Sequence, residues 1–274
     1  MQQLSTQLAL LPDVTPAQSD GVLVYLREAA LTQSDRKELT EQWKYSPERP
    51  DLDLFNHTVA KATFITAFQR LLPMFQIRGG ERVLELGAGR GWASAILKQA
   101  YASCYVVATD LSPVPASRMR EYEELLGVRL DERWACSASA LPFADEQFDV
   151  VFTFAAFHHL IIGDRYQATL AELKRVLKPN GRLLLLYEPS APPYLYHLAH
   201  RRVSRRPEAD EDVILLPRLR RVSALAGFSM AVHYFPDPFG RSSAAALFYY
   251  HVLSRLPQLA PLLPCTVNVE LRKR

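Results

Sequence analysis

The chain has 274 residues, and its 32 Lys and Arg against 29 Asp and Glu leave a formal net charge of +3 at pH 7. Hydrophobic residues make up 49% and charged residues 22% of the sequence, which is typical of a globular enzyme and excludes a disordered chain. The slight positive charge disfavours a protein whose main task is to bind nucleic acid. The three cysteines, Cys104, Cys136 and Cys265, form no CxxC pair and no grouping with histidine, so we expect reduced thiols and no metal site.

Targeting and membrane signals are absent from the sequence. The N-terminus lacks a charged segment followed by an apolar one, and no apolar run approaches the roughly 20 residues that span a bilayer. The sequence therefore predicts a cytoplasmic protein.

Residues 1–78 are predicted to form a helical N-terminal arm. Apolar residues recur at helical spacing from Phe55 through Phe75, and the pattern stops at Gly79-Gly80. An arm of this length can cover a pocket as a lid. Its candidates for lining a substrate are Trp43, Tyr45 and His57, because aromatic faces suit cations and flat molecules; the alternative is that they only pack the arm.

Residues 79–274 are predicted to form an α/β domain. Strands are expected near 82–87, 104–110, 132–138, 148–154 and 182–188, with helices near 91–101, 115–127 and 164–177 between them. This alternation predicts right-handed crossovers and a mostly parallel, Rossmann-like sheet with helices on both faces. A ligand site is then expected at the carboxyl ends of the strands.

The pattern changes after Glu188-Pro189. Strands from Phe228 to about 235 and over 266–271 would complete a seven-stranded sheet. Insertions are expected at about 190–212 and at about 237–264, the second with a helix near 242–256. Together with the N-terminal arm, these insertions are predicted to form the lid.

The segment Val83-Leu84-Glu85-Leu86-Gly87-Ala88-Gly89-Arg90-Gly91 predicts a strand that runs into a ligand-binding loop. Gly87 and Gly89 can adopt positive φ and let the backbone approach a ligand closely. The glycine spacing departs from the G-x-G-x-x-G of dinucleotide loops, and Glu85 would repel a pyrophosphate but suits a cationic amino group. Asp110, about 20 residues further on, can accept hydrogen bonds from ribose hydroxyls with either type of cofactor.

Three segments together resemble the class I S-adenosylmethionine-dependent methyltransferases, in their small-molecule acceptor branch (methyltransferase type 11-like). Residues 85–91 resemble motif I, residues 140–151 are similar to the segment that enters strand four, and residues 173–183 are similar to the helix, turn and fifth strand. The resemblance extends from about residue 80 to 190. It implies S-adenosylmethionine as the cofactor and methyl transfer to oxygen, nitrogen or carbon of a small, partly apolar metabolite, in a specialised or lipid-related biosynthetic pathway.

The resemblance also implies which residues contact the cofactor. These are Glu85, Gly87, Ala88, Gly89, Asp110, Leu111, Ala138, Ser139 and Phe154. Members of the family often carry an acidic residue where this chain has Ser137, and a serine accepts a weaker hydrogen bond from the adenine amino group.

Residues for catalysis and acceptor binding are less well marked. His158 and His159 follow strand four and are candidates for a general base, the alternative being that they position a loop. Glu188 ends strand five and is a candidate for acceptor binding, the alternative being a solvated strand end.

An arginine-rich segment and the glycine loop bear on the possible partners and on alternative functions. The positive charge of the arginines between residues 201 and 221 is partly offset by nearby acids, and no aromatic residues are interleaved for base stacking, which disfavours binding to nucleic acid. Beside the small-molecule acceptor, the candidate partner is then an anionic lipid or a phosphate-bearing substrate. A nicotinamide-dependent dehydrogenase is opposed by Glu85 and the glycine spacing. A non-catalytic scaffold of the same fold stays open because of Ser137 and the lack of an obvious base. The sequence does not determine the oligomeric state.

Overall fold

The computed structural model describes residues 6–40, 49–161, 165–203, 211–235, 247, 249–253 and 255–274. The chain divides into two compact units, Met1–Val151 and Phe152–Arg274. One strand, Phe148–Phe154, runs across the point of division.

The first unit alternates strands and helices after an N-terminal hairpin. In chain order its elements are β1 (Ala17–Ser19), β2 (Val22–Tyr25), α1 (Gln33–Thr40), α2 (Pro50–Leu71), β3 (Arg82–Leu86), α3 (Trp92–Ala100), β4 (Tyr105–Asp110), α4 (Pro113–Ser117), α5 (Met119–Leu126), β5 (Glu132–Cys136) and the start of β6 (Phe148–Phe154). Short 3₁₀ segments lie at Glu28–Ala30 and Leu72–Phe75.

The sheet of this unit has the strand order β1-β2-β5-β4-β3. The pairs β2–β5, β5–β4 and β4–β3 are parallel, and only the β1–β2 hairpin within this order is antiparallel. Consecutive residues of β3 and β4, such as Val83 and Leu84 or Val106 and Val107, are fully buried. Both faces of these strands are therefore covered, which is why they read as continuous apolar runs in the sequence.

The N-terminal arm differs from its prediction. Residues 17–25 form the hairpin β1–β2 instead of helix, and β2 pairs in parallel with β5. The turn consists of Asp20 and Gly21, both at positive φ (51° and 77°), the geometry that a two-residue hairpin turn requires. Asp-Gly before the short apolar run 22–25 was the sequence signal for it. The described residues consequently contain nine strands, where seven were predicted.

The second unit carries the end of β6, α6 (Phe157–Leu160), α7 (Arg165–Val176), β7 (Leu177–Ser190), α8 (Tyr196–Val203), α9 (Leu216–Leu225), β8 (Phe228–Phe235) and β9 (Cys265–Lys273). Its strands follow the order β6-β7-β9-β8, with β9 antiparallel to both β7 and β8. The predicted terminal strand pair is thus confirmed. The helix expected near 242–256 falls largely outside the described residues, which contain a π-helical segment at Tyr249–Leu253 and a 3₁₀ segment at Pro257–Leu262.

No helix in the described part of the chain combines the length and the apolar character that crossing a membrane requires.

Candidate functional site

The loop between β3 and α3 has the backbone that the glycine pattern predicts. Gly87, Gly89 and Gly91 all adopt positive φ, at 66°, 55° and 72°. A Cβ atom added at Gly91 would lie 2.8 Å from Cγ of Met119, whereas one added at Gly89 would meet nothing within 4 Å. Gly91 is therefore required for packing as well as backbone conformation, while Gly89 borders open space that a ligand can approach.

Asp110 ties the end of β4 to this loop. One carboxylate oxygen, Oδ2, accepts a hydrogen bond from the backbone N–H of Gly89 at 2.7 Å, and Oδ1 accepts from the N–H of Ser112 at 3.1 Å. The carboxylate is thus held beside the glycine loop at the carboxyl end of a parallel strand, where α/β folds bind their ligands.

Glu85 is a buried carboxylate at the other side of the loop. It is 2% exposed, and its Oε2 accepts hydrogen bonds from the backbone N–H of Ser94, at 3.0 Å, and from the Ser94 hydroxyl. Burial raises the pKa of Glu85 to about 7; the bonds from Ser94 oppose the rise and the charge of Asp110 adds to it. A cation placed next to Glu85 would favour its ionised form, so the site suits an ammonium group.

A pair of hydroxyls follows β5. The Oγ atoms of Ser137 and Ser139 lie 3.0 Å apart, and the backbone N–H of Ser139 donates to Ser137 Oγ at 3.4 Å. Ser137 is buried, whereas Ala138, Ser139 and, after β4, Leu111 are half-buried. The position that is acidic in many family members is therefore occupied here by a hydroxyl bound within its own turn.

A four-membered ion network joins α2, the glycine loop and α5. Arg90, 2% exposed, donates to Asp53 at 2.9 Å and also to Glu121. Arg118 contacts the same two carboxylates, at 2.5 Å to Asp53 and 2.7 Å to Glu121. Sequence reasoning missed this network, because nothing in the local pattern around Arg90 indicates partners so far along the chain.

His57 lies next to the network, on α2. Its Nδ1 is 2.8 Å from the hydroxyl of Tyr122, which is also 3.0 Å from Oγ1 of Thr58. Burial and the nearby charge of Arg90 lower the pKa of His57 to about 4, so the ring is neutral at physiological pH. Its role in lining the acceptor stays a prediction. The other two candidates of the arm, Trp43 and Tyr45, lie outside the described residues.

In the second unit, the end of β6 faces an irregularity in β7. The pairing of β7 with β9 shifts register between Leu185 and Glu188, and Tyr187 adopts φ 56° there. Its ring stacks on Phe154, with centroids 5.3 Å apart and planes at 13°. Ala155, the next residue after β6, also has positive φ, at 48°. Each such non-glycine residue costs on the order of 1 kcal/mol or more, and strain of this kind concentrates at functional sites.

Glu188 organises the turn that follows β6. It is 0% exposed and accepts hydrogen bonds from the backbone N–H groups of Ala156, Phe157 and His158 at 2.8–3.2 Å, from the Thr153 hydroxyl at 3.1 Å, and from Nδ1 of His158 at 2.8 Å. The alternative that Glu188 is a solvated strand end is therefore wrong, because the register shift in β7 turns its carboxylate into the protein.

The charge of Glu188 is maintained by those donors. Burial alone would raise the pKa of Glu188, but the hydrogen bonds from His158 and from the N–H groups of Phe157 and Ala156 bring that pKa below its usual value. The resulting carboxylate fixes the orientation of the His158 imidazole. The ring of His159 lies 4.1 Å from that of His158, at an angle of 38°.

Comparison with known proteins gives this geometry a context. Residues 84–185 match the family model described as "Methyltransferase domain". A demethylmenaquinone methyltransferase of Thermus thermophilus is 28% identical over 205 residues, which cover 68% of this chain and 91% of that protein. A probable phthiotriol/phenolphthiotriol dimycocerosates methyltransferase 2 of Mycobacterium ulcerans is 31% identical over 140 residues, 51% of this chain and 52% of that protein.

A solved structure has the same fold. Phosphoethanolamine N-methyltransferase 2 of Haemonchus contortus, in complex with S-adenosyl-L-methionine, superposes with a TM-score of 0.57 and 17% identity, covering 83% of this chain and 58% of that chain. Residues 84–185 are thus identified as a methyltransferase domain of the class I, S-adenosylmethionine-dependent type. The α/β, Rossmann-like fold class and the cofactor predicted from the sequence are thereby confirmed, although the family match covers less than half of the chain.

The structure places the predicted residues of this methyltransferase domain in two groups. In the first unit, β3, β4, β5 and the loops that follow them carry Glu85, Gly87, Ala88, Gly89, Asp110, Leu111, Ala138 and Ser139. In the second unit, β6, α6 and β7 carry Phe154, His158, His159 and Glu188. Sequence reasoning missed the partnership of Glu188 with His158, since the two residues lie on separate strands and turns.

Proposed function

We propose that this methyltransferase domain methylates a small, partly apolar metabolite of a specialised or lipid-related pathway. The observation that carries the cofactor half of the proposal is the arrangement of Glu85, the positive-φ glycines and Asp110 around one loop. The acceptor half is supported by the relatives, whose names indicate methylation of demethylmenaquinone and of phthiotriol dimycocerosates.

Most of the predicted cofactor residues have a proposed task. Glu85 would hold the ammonium group, because a neighbouring cation favours the ionised form of a buried carboxylate. Asp110 would accept from the ribose hydroxyls, and Gly89 would let the backbone lie against the ligand. Ala88 shares that loop, while Leu111 and Ala138, with the hydroxyl of Ser139, would contact the adenine.

When bound, S-adenosylmethionine supplies a methyl group on a positively charged sulfur for in-line displacement by the acceptor. The protein groups then have to align the two reactants and exclude water, which in well-oriented systems corresponds to effective molarities of roughly 10⁵ M or more. Phe154, held against Tyr187 in the second unit, is proposed to contact the methionine arm. Trp43, Tyr45 and His57 are kept as candidates for the acceptor side.

Base catalysis by His158 or His159 stays a prediction. An acceptor hydroxyl or acidic carbon must lose a proton, and His158 has the carboxylate partner that orients a general base. The same partner suits a histidine that binds a metal ion.

Calorimetric titration with S-adenosylmethionine and S-adenosylhomocysteine tests the cofactor residues. Asp110→Asn and Glu85→Gln should each weaken binding about tenfold or more, because hydrogen bonds to a charged acceptor are lost. Asp145→Asn is the control, since Asp145 is exposed and has no proposed contact with the cofactor. Unchanged affinity in both variants would refute the proposed binding mode.

Transfer of a labelled methyl group to a panel of quinols, phenolic lipids and amines tests the acceptor class. We expect methylation of an apolar quinol or phenol in preference to water-soluble amines. Preferential methylation of polar amines would refute the proposed acceptor class while leaving the cofactor assignment intact.

A further inference from the structure

Three potential metal ligands converge in the second unit. His158, His159 and Glu211 each offer one ligand atom, a ring nitrogen or a carboxylate oxygen, and these atoms all lie within 4.8 Å of one another. His158 is buried, and the other two residues are half-buried. The first two come from α6, whereas Glu211 lies shortly before α9, so the tertiary structure brings them together.

The distances are close to those of a coordination sphere. Bonds of about 2.0–2.2 Å from a metal ion to nitrogen and oxygen place neighbouring ligand atoms roughly 3.0–3.6 Å apart. Rotation of partly exposed side chains such as His159 and Glu211 can close the remaining gap. Two imidazoles and one carboxylate are a set that divalent zinc, iron and cobalt favour, whereas magnesium and calcium favour oxygen ligands alone.

The support behind His158 is an independent observation. Glu188 accepts a hydrogen bond from Nδ1 of His158 at 2.8 Å, which leaves Nε2 as the nitrogen for coordination. Histidine ligands of metals characteristically donate their second ring N–H to such a carboxylate. The backbone N–H groups of residues 156–158 bind the same carboxylate, so Glu188 also holds the turn that carries the two histidines.

We infer that His158, His159 and Glu211 bind one divalent transition-metal ion and leave coordination positions open for water or an oxygen ligand. In this state both histidines are metal ligands and not free bases. The sequence predicted no metal site because its cysteines form no ligand pattern and the adjacent histidines lie far along the chain from Glu211. None of the three ligands is among the proposed cofactor contacts.

The test uses the full chain after treatment with a chelator. Co²⁺ is titrated into the protein, and its binding is measured by the visible absorption of the bound ion. The titration should show one ion per chain, and added Zn²⁺ should displace the Co²⁺. His159→Ala and Glu211→Gln should each weaken Co²⁺ binding about tenfold or more, and Glu188→Gln should weaken it about 10–100-fold. Thermal unfolding of each variant shows that the protein is folded in the titration.

His197→Ala is the matched control, because His197 on α8 is a histidine of the same unit outside the cluster. Unchanged Co²⁺ binding in His197→Ala, with the losses above, supports the site. Absence of Co²⁺ binding by the wild type, or an equal loss in His197→Ala, overturns it, since the latter means adventitious binding by histidines in general. The readout is metal affinity, so failure of S-adenosylmethionine binding would refute the proposed cofactor contacts without changing this result.

Discussion

Replacement of Asp53 by Asn should loosen helix α2 from the glycine loop. Asp53 contacts Arg90 at 2.9 Å and Arg118 at 2.5 Å, and Arg90 is almost completely buried. A charge-assisted hydrogen bond contributes about 1.5–3 kcal/mol, and an unpaired buried charge costs about 3–5 kcal/mol. Glu121 would still pair with both arginines, so we expect a loss of about 2–4 kcal/mol in the free energy of unfolding.

Urea denaturation measures this loss as a lower midpoint at an unchanged slope. Asp51→Asn is the matched control, because Asp51 lies in the same first turn of α2 and shares any interaction with the helix dipole. Its ion pair with Arg49 is exposed, with side chains 68% and 64% accessible, so its removal should leave the midpoint unchanged. Equal midpoints for the two variants would refute the reasoning that the buried network holds α2 in place.

Three further predictions concern stability and ligand binding. The wild type should lose stability as the pH rises from about 4.5 to about 7, because a carboxyl whose folded pKa is raised to about 7 keeps its proton there while the unfolded chain loses it. Glu85→Gln should abolish this decrease; pH-dependent urea midpoints that match the wild type would contradict this. His57 should have the opposite effect, a loss of stability as the pH falls from about 6.5 to about 4, since the folded His57 stays neutral there while the unfolded chain takes up a proton. His57→Gln should remove this loss; urea midpoints that fall as in the wild type over this pH range would argue against it. Gly91→Ala should destabilise the fold by about 2–4 kcal/mol through its clash with Met119 and its positive φ. Gly89→Ala should cost only about 1–2 kcal/mol in stability but should weaken S-adenosylmethionine binding more than Gly91→Ala does. The reverse order of the two variants in thermal unfolding and calorimetry would refute the assignment of Gly89 to the ligand side.

The cofactor loop and the core strands were predictable because their causes are local. The strands β3, β4 and β6 were predicted close to their observed bounds, since strands buried on both faces must be apolar throughout. The positive φ of Gly87 and Gly89 follows from the glycine pattern itself. The sequence alone thus determined the fold class, the cofactor and the position of the loop.

Other features depend on groups that are distant in sequence. The hairpin at Asp20-Gly21 has a local turn signal, but its parallel pairing of β2 with β5 has none. Glu188 became a buried partner of His158 because the register shift in β7 turned it inward, whereas its place at a strand end indicated solvent. Asp53 pairs with Arg90, which lies 37 positions further along the chain, because the fold brings α2 and the glycine loop together.

The amino-acid sequence by itself determined the core strands β3, β4 and β6 and the glycine loop, because hydrophobic periodicity and backbone freedom act within a few residues. Only the tertiary structure decided which buried charges are paired, since a carboxylate loses its solvation on burial and must take its donors from whatever segments the fold brings within hydrogen-bonding distance. The pairs Glu188–His158 and Asp53–Arg90 exist for that reason.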